Sequence, residues 1–152
     1  MTSDPECLFC RLIGRDGDVS VVHEYERTTA IMDIQPVQTG HVLVLPRAHV
    51  PRLADLDRED GAQMFRIAHA AAASLRASGL PCEGVNLFLA DGEAAGQEVD
   101  HVHLHVFPRS TGDGFGLRLP PTYAIRARSE LDATADVLRR SWPSSSGAGK
   151  RG

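Results

Sequence analysis

Residues 101–107 read His-Val-His-Leu-His-Val-Phe, and this run constrains the fold more than any other segment. Polar and apolar residues alternate with period two, the pattern of a strand with one face in a core. On such a strand Val102, Leu104 and Val106 enter the core, while His101, His103 and His105 line the opposite face. Successive imidazoles would stand about 7 Å apart. Imidazoles titrate near neutral pH and need partners when buried, so a row of three points to chemistry.

The remaining patterns place this strand in a mixed sheet. Residues 19–25 and 29–34 are rich in β-formers around a short polar break, which predicts a hairpin. Residues 35–40 read as a loop, 41–45 as a buried strand ending at Pro46, and 85–89 as a further strand. Asp57 is the expected N-cap of a helix with Phe65, Ala68, Ala72 and Leu75 on one face, stopping near Ser78-Gly79. Ser129-Glu-Leu-Asp132 has capping-box character, and Leu131, Ala135, Leu138 and Trp142 share a second helical face ended by Pro143. The sum is an α+β fold: an antiparallel sheet of about five strands, one long crossover helix and a C-terminal helix. Residues 1–143 are expected to form a single domain, and the Ser/Gly-rich stretch 144–152 a disordered tail.

Composition narrows the partners. The formal net charge is −4 and no long basic run occurs, which argues against a general nucleic-acid surface. No apolar stretch is long enough to span a membrane. The N-terminal residues lack the basic and apolar regions of a secretion signal, so a cytoplasmic protein is expected. Cys7 and Cys10 form a Cys-x-x-Cys pair, which in a reducing compartment suggests metal or redox chemistry; Cys82 reads as a small packing residue.

Three readings of the histidine run follow from its chemistry. Strand residues two apart can converge on a metal. One imidazole can act as a nucleophile, held in its tautomer by a neighbour. Or the run is simply a polar face toward solvent, the least attractive reading beside the small-residue loop Asp91-Gly-Glu-Ala-Ala-Gly96.

The segment Ala95-Gly-Gln-Glu-Val-Asp-His-Val-His-Leu-His-Val-Phe-Pro-Arg109 resembles the signature of the histidine-triad (HIT) family, His-φ-His-φ-His-φ-φ with φ apolar. Cys7-Leu-Phe-Cys10-Arg-Leu-Ile resembles the start of its bacterial members with an N-terminal Cys-x-x-Cys. Residues 33–49, Asp-Ile-Gln-Pro-Val-Gln-Thr-Gly-His-Val-Leu-Val-Leu-Pro-Arg-Ala-His, resemble its second block. The resemblance implies a HIT-like fold and a nucleotide hydrolase or transferase. A histidine would attack the α-phosphorus of a purine nucleotide, such as a dinucleoside polyphosphate or a nucleoside phosphoramidate, through a nucleotidyl-histidine intermediate. It makes His103 the nucleophile, with His105 supporting it and His41 close to the site. It assigns substrate contacts to Asp33 (ribose), Gln97 (phosphates), Gly92 and Gly96 (backbone approach), and to Glu98, His103 and His105. Ile13, Ile31 and Leu43 are candidates for the base pocket, and Arg109 and Arg118 for cations near the leaving group. Cys7, Cys10, His49 and His101 are implied as a structural zinc site, with the chain a homodimer.

Two positions depart from the better-known branches. Ala90 stands where an Asn or Gln donates to phosphate, and Glu98 where a Ser or Thr follows the glutamine. They raise an alternative, a nucleotide-binding sensor or partner module with little catalysis. A hydrolase in which all three triad histidines bind a catalytic metal is a third class.

Overall fold

The computed structural model describes residues 2–143. The chain divides into two compact units, Met1–Phe115 and Gly116–Gly152. The tail expected over 144–152 lies outside the described residues.

The first unit is an α+β structure around a five-stranded sheet of order β1-β2-β3-β5-β4, every pairing antiparallel. Its strands are β1 (Val21–Glu24), β2 (Thr28–Met32), β3 (Val42–Pro46), β4 (Gly84–Phe88) and β5 (Leu104–Arg109). The hairpin expected from the β-rich runs is β1–β2, with an irregularity in register between Val21 and His23. The crossover helix is α2 (Arg58–Ala77), and the Asp57 side chain caps it by accepting the Glu59 N–H. A short α1 (Leu8–Ile13) precedes the sheet. Among the described residues no helix is long and apolar enough to cross a membrane.

The pleat sorts the sheet residues onto two faces. Ala30, Val42, Val44 and Val106 pack with Met64, Ile67, Ala68 and Leu75 of α2 in the larger core. The buried face of α2 therefore runs through Met64 and Ile67. Of the expected face, Ala68 and Leu75 are buried and Ala72 packs against the core, whereas Phe65 is 63% exposed. On the other face Ile31, Leu43 and Leu45 pack with Cys7, Phe9 and Cys10 from α1 and its N-cap. Cross-strand register aligns Ile31 with Leu43, and Leu43 with His105. Period-two geometry thus puts His105 on the α1 side of the sheet.

The histidine run is only partly strand. The ladder begins at Leu104, and His101, Val102 and His103 form the extended approach to it. Their polar groups have other partners: the Val102 N–H donates to the Val50 carbonyl, and His101 and His103 are bonded through their rings.

The second unit carries α3 (Arg128–Ser141). Its N-cap is Ala127 and no side chain caps it, so the expected Ser129 box is not used. Leu131, Val137, Leu138 and Trp142 are exposed.

Candidate functional site

A cleft of about 770 Å³ opens on the α1 side of the sheet. Leu8, Phe9 and Leu12 of α1 line it together with Ile31 and Leu43 of the sheet and with His103 and His105. Asp18, Asp33 and Glu98 place carboxylates around it. Ile31 and Leu43 are at once core residues and cleft lining, whereas Ile13 packs beneath and does not line the cleft. α1 carried no sequence signal beyond the Cys-x-x-Cys pair, and Phe9, within that pair, stands edge-on to His103 at 5.0 Å.

His103 is held by its own strand. Its Nδ1 lies 2.7 Å from the carbonyl oxygen of His101, which can only accept, so Nδ1 carries a proton, and the ring's other nitrogen, Nε2, is the one that can present a lone pair. The residue is only 5% exposed, and no buried side-chain nitrogen or oxygen among the described residues lacks a partner. Nε2 has no protein partner among the described residues, so it is the part that reaches the cleft. An imidazole so held, with Nε2 toward the cleft, offers that nitrogen as a nucleophile.

His41 and His105 form a second oriented pair. The Val37 N–H donates to His41 Nδ1 at 3.1 Å. The His41 proton therefore sits on Nε2, which lies 2.9 Å from His105 Nδ1 and donates to it. That leaves His105 with an Nε2–H. Burial pushes His105 down to about 4, with His103 and His41 adding to the effect and Asp33 opposing it. Burial also lowers His41 against the pull of Asp33, whose Oδ2 is 3.6 Å away. Both rings are neutral at pH 7, which the chain of N–H donors requires.

This neutrality sets a pH dependence. A depressed imidazole binds its proton better in the unfolded chain. Its stabilising effect is complete above its ordinary value of 6.5 and is lost as pH falls toward about 4. For His105 the full loss is about 3 kcal/mol. Urea midpoints should drop between pH 7 and pH 4.5, and His105→Asn should show a shallower drop; equal slopes would contradict the assignment.

The first triad histidine faces elsewhere. His101 Nε2 donates to the Pro46 carbonyl at 2.9 Å, leaving Nδ1 as a lone pair 3.6 Å from both Cys7 Sγ and Cys10 Sγ. His49 Nδ1 lies 3.4 Å from Cys10 Sγ, and its Nε2 is 3.7 Å from a carboxylate oxygen of Asp4. The four ligand atoms all lie within 4.8 Å of one another. A tetrahedral zinc with ordinary bonds sets its sulfur and nitrogen ligands about 3.6 Å apart, so the spacing fits. The Pro46 carbonyl and Asp4 carboxylate stand where outer partners orient metal-binding imidazoles. The three triad histidines thus do not converge on one metal: His101 faces the sulfurs, His105 lies with Asp33 and His41, and His103 is in neither group.

The loop before the triad is tied down from within. The Gln97 Nε2 donates to the carbonyls of Pro51 and Val99, and its Oε1 accepts from the Gly92 N–H and from Arg52. Gln97 is therefore occupied in closing the loop and does not line the cleft. Gly92 and Gly96 flank the single turn Glu93–Ala95 with φ of 93° and 87°, a left-handed region that glycine enters without strain. Ala90 is buried. Arg109 makes a double ion pair with Asp113 and also bonds Asn86 and the Phe115 carbonyl, so its guanidinium is already engaged. Arg118 belongs to the second unit, where it is exposed. Cys82 packs at the edge of the larger core, its thiol against the Gly84 carbonyl.

Comparison with known proteins gives this arrangement a context. The family model described as "HIT domain" matches residues 15–112, well over half of the chain. The chain is similar to the crystal structure of a HIT family member from Bacillus subtilis, with a TM-score of 0.83 and 32% identity over 92% of this chain and 99% of that one. A zinc-bound histidine triad family protein from Mycobacterium smegmatis matches with a TM-score of 0.70 and 36% identity, over 90% and 97% of the two chains. The adenosine 5'-monophosphoramidase of Saccharomyces cerevisiae is 32% identical over 108 residues, 71% of this chain and 65% of its own.

Proposed function

Because this chain belongs to the HIT domain family, we propose that it hydrolyses or transfers nucleotides at the α-phosphate of a purine nucleotide. The substrate would be a nucleoside phosphoramidate or a dinucleoside polyphosphate. The observation that carries this reading is the tautomer of His103, with Nδ1–H held by the His101 carbonyl and Nε2 open to the cleft.

In the first step a bond forms between His103 Nε2 and the α-phosphorus, and the bond from phosphorus to the leaving nitrogen or oxygen breaks. The His105 Nε2–H, set by His41, donates to the phosphoryl group or to the departing atom. An amine leaving group takes up one proton from solvent and departs as the neutral amine, whereas a polyphosphate departs as its anion. Water then adds to phosphorus, the Nε2–P bond breaks, and the nucleoside monophosphate leaves with one proton released. Asp33 lines the cleft, its Oδ1 taking the Gln35 N–H, and it is the candidate acceptor for ribose hydroxyls. Ile31 and Leu43 offer the apolar surface for a base.

Zinc held by Cys7, Cys10, His49 and His101 would be structural, cross-linking α1 to the approach of β5. The cytoplasm would keep both thiols reduced and available. A homodimer is part of this reading: β4 is an outer strand of the sheet, and its Leu87 and Phe88 are exposed.

The test is to incubate the purified protein with adenosine phosphoramidates and dinucleoside polyphosphates and identify the products by mass. The expected outcome is a nucleoside monophosphate, with a nucleotidyl-protein adduct after an acid-free quench. Light scattering on the same sample should give twice the chain mass of 16.4 kDa. The buried Ala90, which offers no amide to phosphate, favours a second reading as a nucleotide-binding module. Binding of AMP with no turnover across the whole panel would select it.

A further inference from the structure

The cleft that contains His103 is acidic. Asp18, Asp33 and Glu98 line it, and no lysine or arginine is among its lining residues. Asp33 is partly engaged by the Gln35 N–H and the nearby histidines. Asp18 and Glu98 have no hydrogen-bond or ion-pair partner among the described residues. The arginine that meets Gln97, next to Glu98, is Arg52, and its guanidinium pairs with Asp100. Glu98 therefore presents an uncompensated carboxylate to the same space as a 95%-buried imidazole whose Nε2 awaits a partner.

That charge decides what can leave. A polyphosphate leaving group carries several negative charges, and sites that handle it supply guanidinium, ammonium or metal ions as counter-charge. Here it would meet the exposed carboxylates of Asp18 and Glu98 at the cleft, with no basic side chain in the lining to offset the repulsion. An amine leaving group that bears a second, protonated amino group is the electrostatic complement.

We propose that Glu98, assisted by Asp18, selects the leaving group: nucleoside 5'-phosphoramidates of amines with a distal cationic group are preferred over those of neutral amines and over polyphosphates. The inference rests on the nucleotidyl-histidine reading above. In the step concerned, His103 Nε2 bonds to phosphorus, the P–N bond breaks, and the nitrogen takes one proton from solvent and departs as a neutral amine, which takes a second proton in water to become an ammonium. Glu98 faces the distal ammonium and takes no part in the proton transfer.

The test uses three adenosine 5'-phosphoramidates of equal length, ending in an ammonium, a methyl or a carboxylate, with a diadenosine polyphosphate as fourth substrate. In the wild-type protein kcat/KM should fall in the order ammonium, methyl, carboxylate, by about three- to tenfold per step at low salt, and the steps should narrow as salt rises. In Glu98→Gln the ammonium-to-methyl ratio should collapse toward unity, and in Asp18→Asn it should fall partway. Equal rates for ammonium and methyl, or a ratio unchanged in Glu98→Gln, overturn the inference. Dissociation constants of the same compounds are measured by calorimetry on His103→Asn. The expected rank in binding with no turnover by the wild type keeps the charge selection and removes the hydrolase reading. Turnover without the rank does the reverse, and binding of none of the compounds overturns both.

Discussion

His103→Asn should lose turnover by at least about a thousandfold, the scale on which removal of a covalent nucleophile acts. Asparagine can still donate a side-chain N–H toward the His101 carbonyl, the partner of His103 Nδ1. It has nothing in place of the lone pair at Nε2. The loss should therefore fall on kcat, with the dissociation constant for AMP changed little and the thermal midpoint close to that of the wild type. The nucleotidyl-protein adduct should disappear with the activity. Retained activity in a folded His103→Asn protein would remove the covalent mechanism, and a large fall in stability would show that the ring is needed mainly for packing.

Metal removal is expected to have the second largest effect. Cys7, Cys10, His49 and His101 connect α1 and its N-cap, the segment after β3 and the approach to β5. These pieces share the smaller core, in which Cys7, Phe9 and Cys10 are themselves buried. Without a metal, burial raises the Cys7 thiol, so two buried thiols and two imidazoles would remain with only weak sulfur contacts. A bound zinc at this site would contribute several kcal/mol, as ligands that bind only the folded state do. A strong chelator, or Cys10→Ser, should lower the melting midpoint by about 10 °C or more. Elemental analysis of the untreated protein should give one zinc per chain. Turnover should fall in parallel, because the His101 that faces the two thiols also supplies the carbonyl that fixes the His103 tautomer. Unchanged melting with chelator, together with no metal in the purified protein, would refute the site.

Much of the frame could be read from residue order because it rests on short-range patterns. The period-two runs gave the strands, and Asp57 with the Ser78-Gly79 stop bracketed α2. Patterns that depend on which face meets the core were less secure. Phe65 sits at a spacing that fits the helix, yet it is exposed, and Met64 and Ile67 join Ala68 and Leu75 in covering the sheet. Ser129 has the form of a capping residue, yet α3 starts from Ala127. α1 is only six residues long, too short for a periodic signal, and its role as a wall of the cleft follows from where the chain folds it.

The sequence alone determined the histidine run, its apolar complement and the Cys-x-x-Cys pair, because each lies within a few residues and is set by side-chain alternation. Only the tertiary structure decided which imidazole does what. His101 turns from the run because Pro46 holds one nitrogen and two cysteines more than ninety residues away face the other. Burial keeps His105 neutral, and its proton sits on Nε2 because His41, just before a different strand, donates to its Nδ1. Imidazole has two nitrogens and one mobile proton at neutral pH, so its role is fixed by its hydrogen-bond partners, and those come from distant parts of the chain.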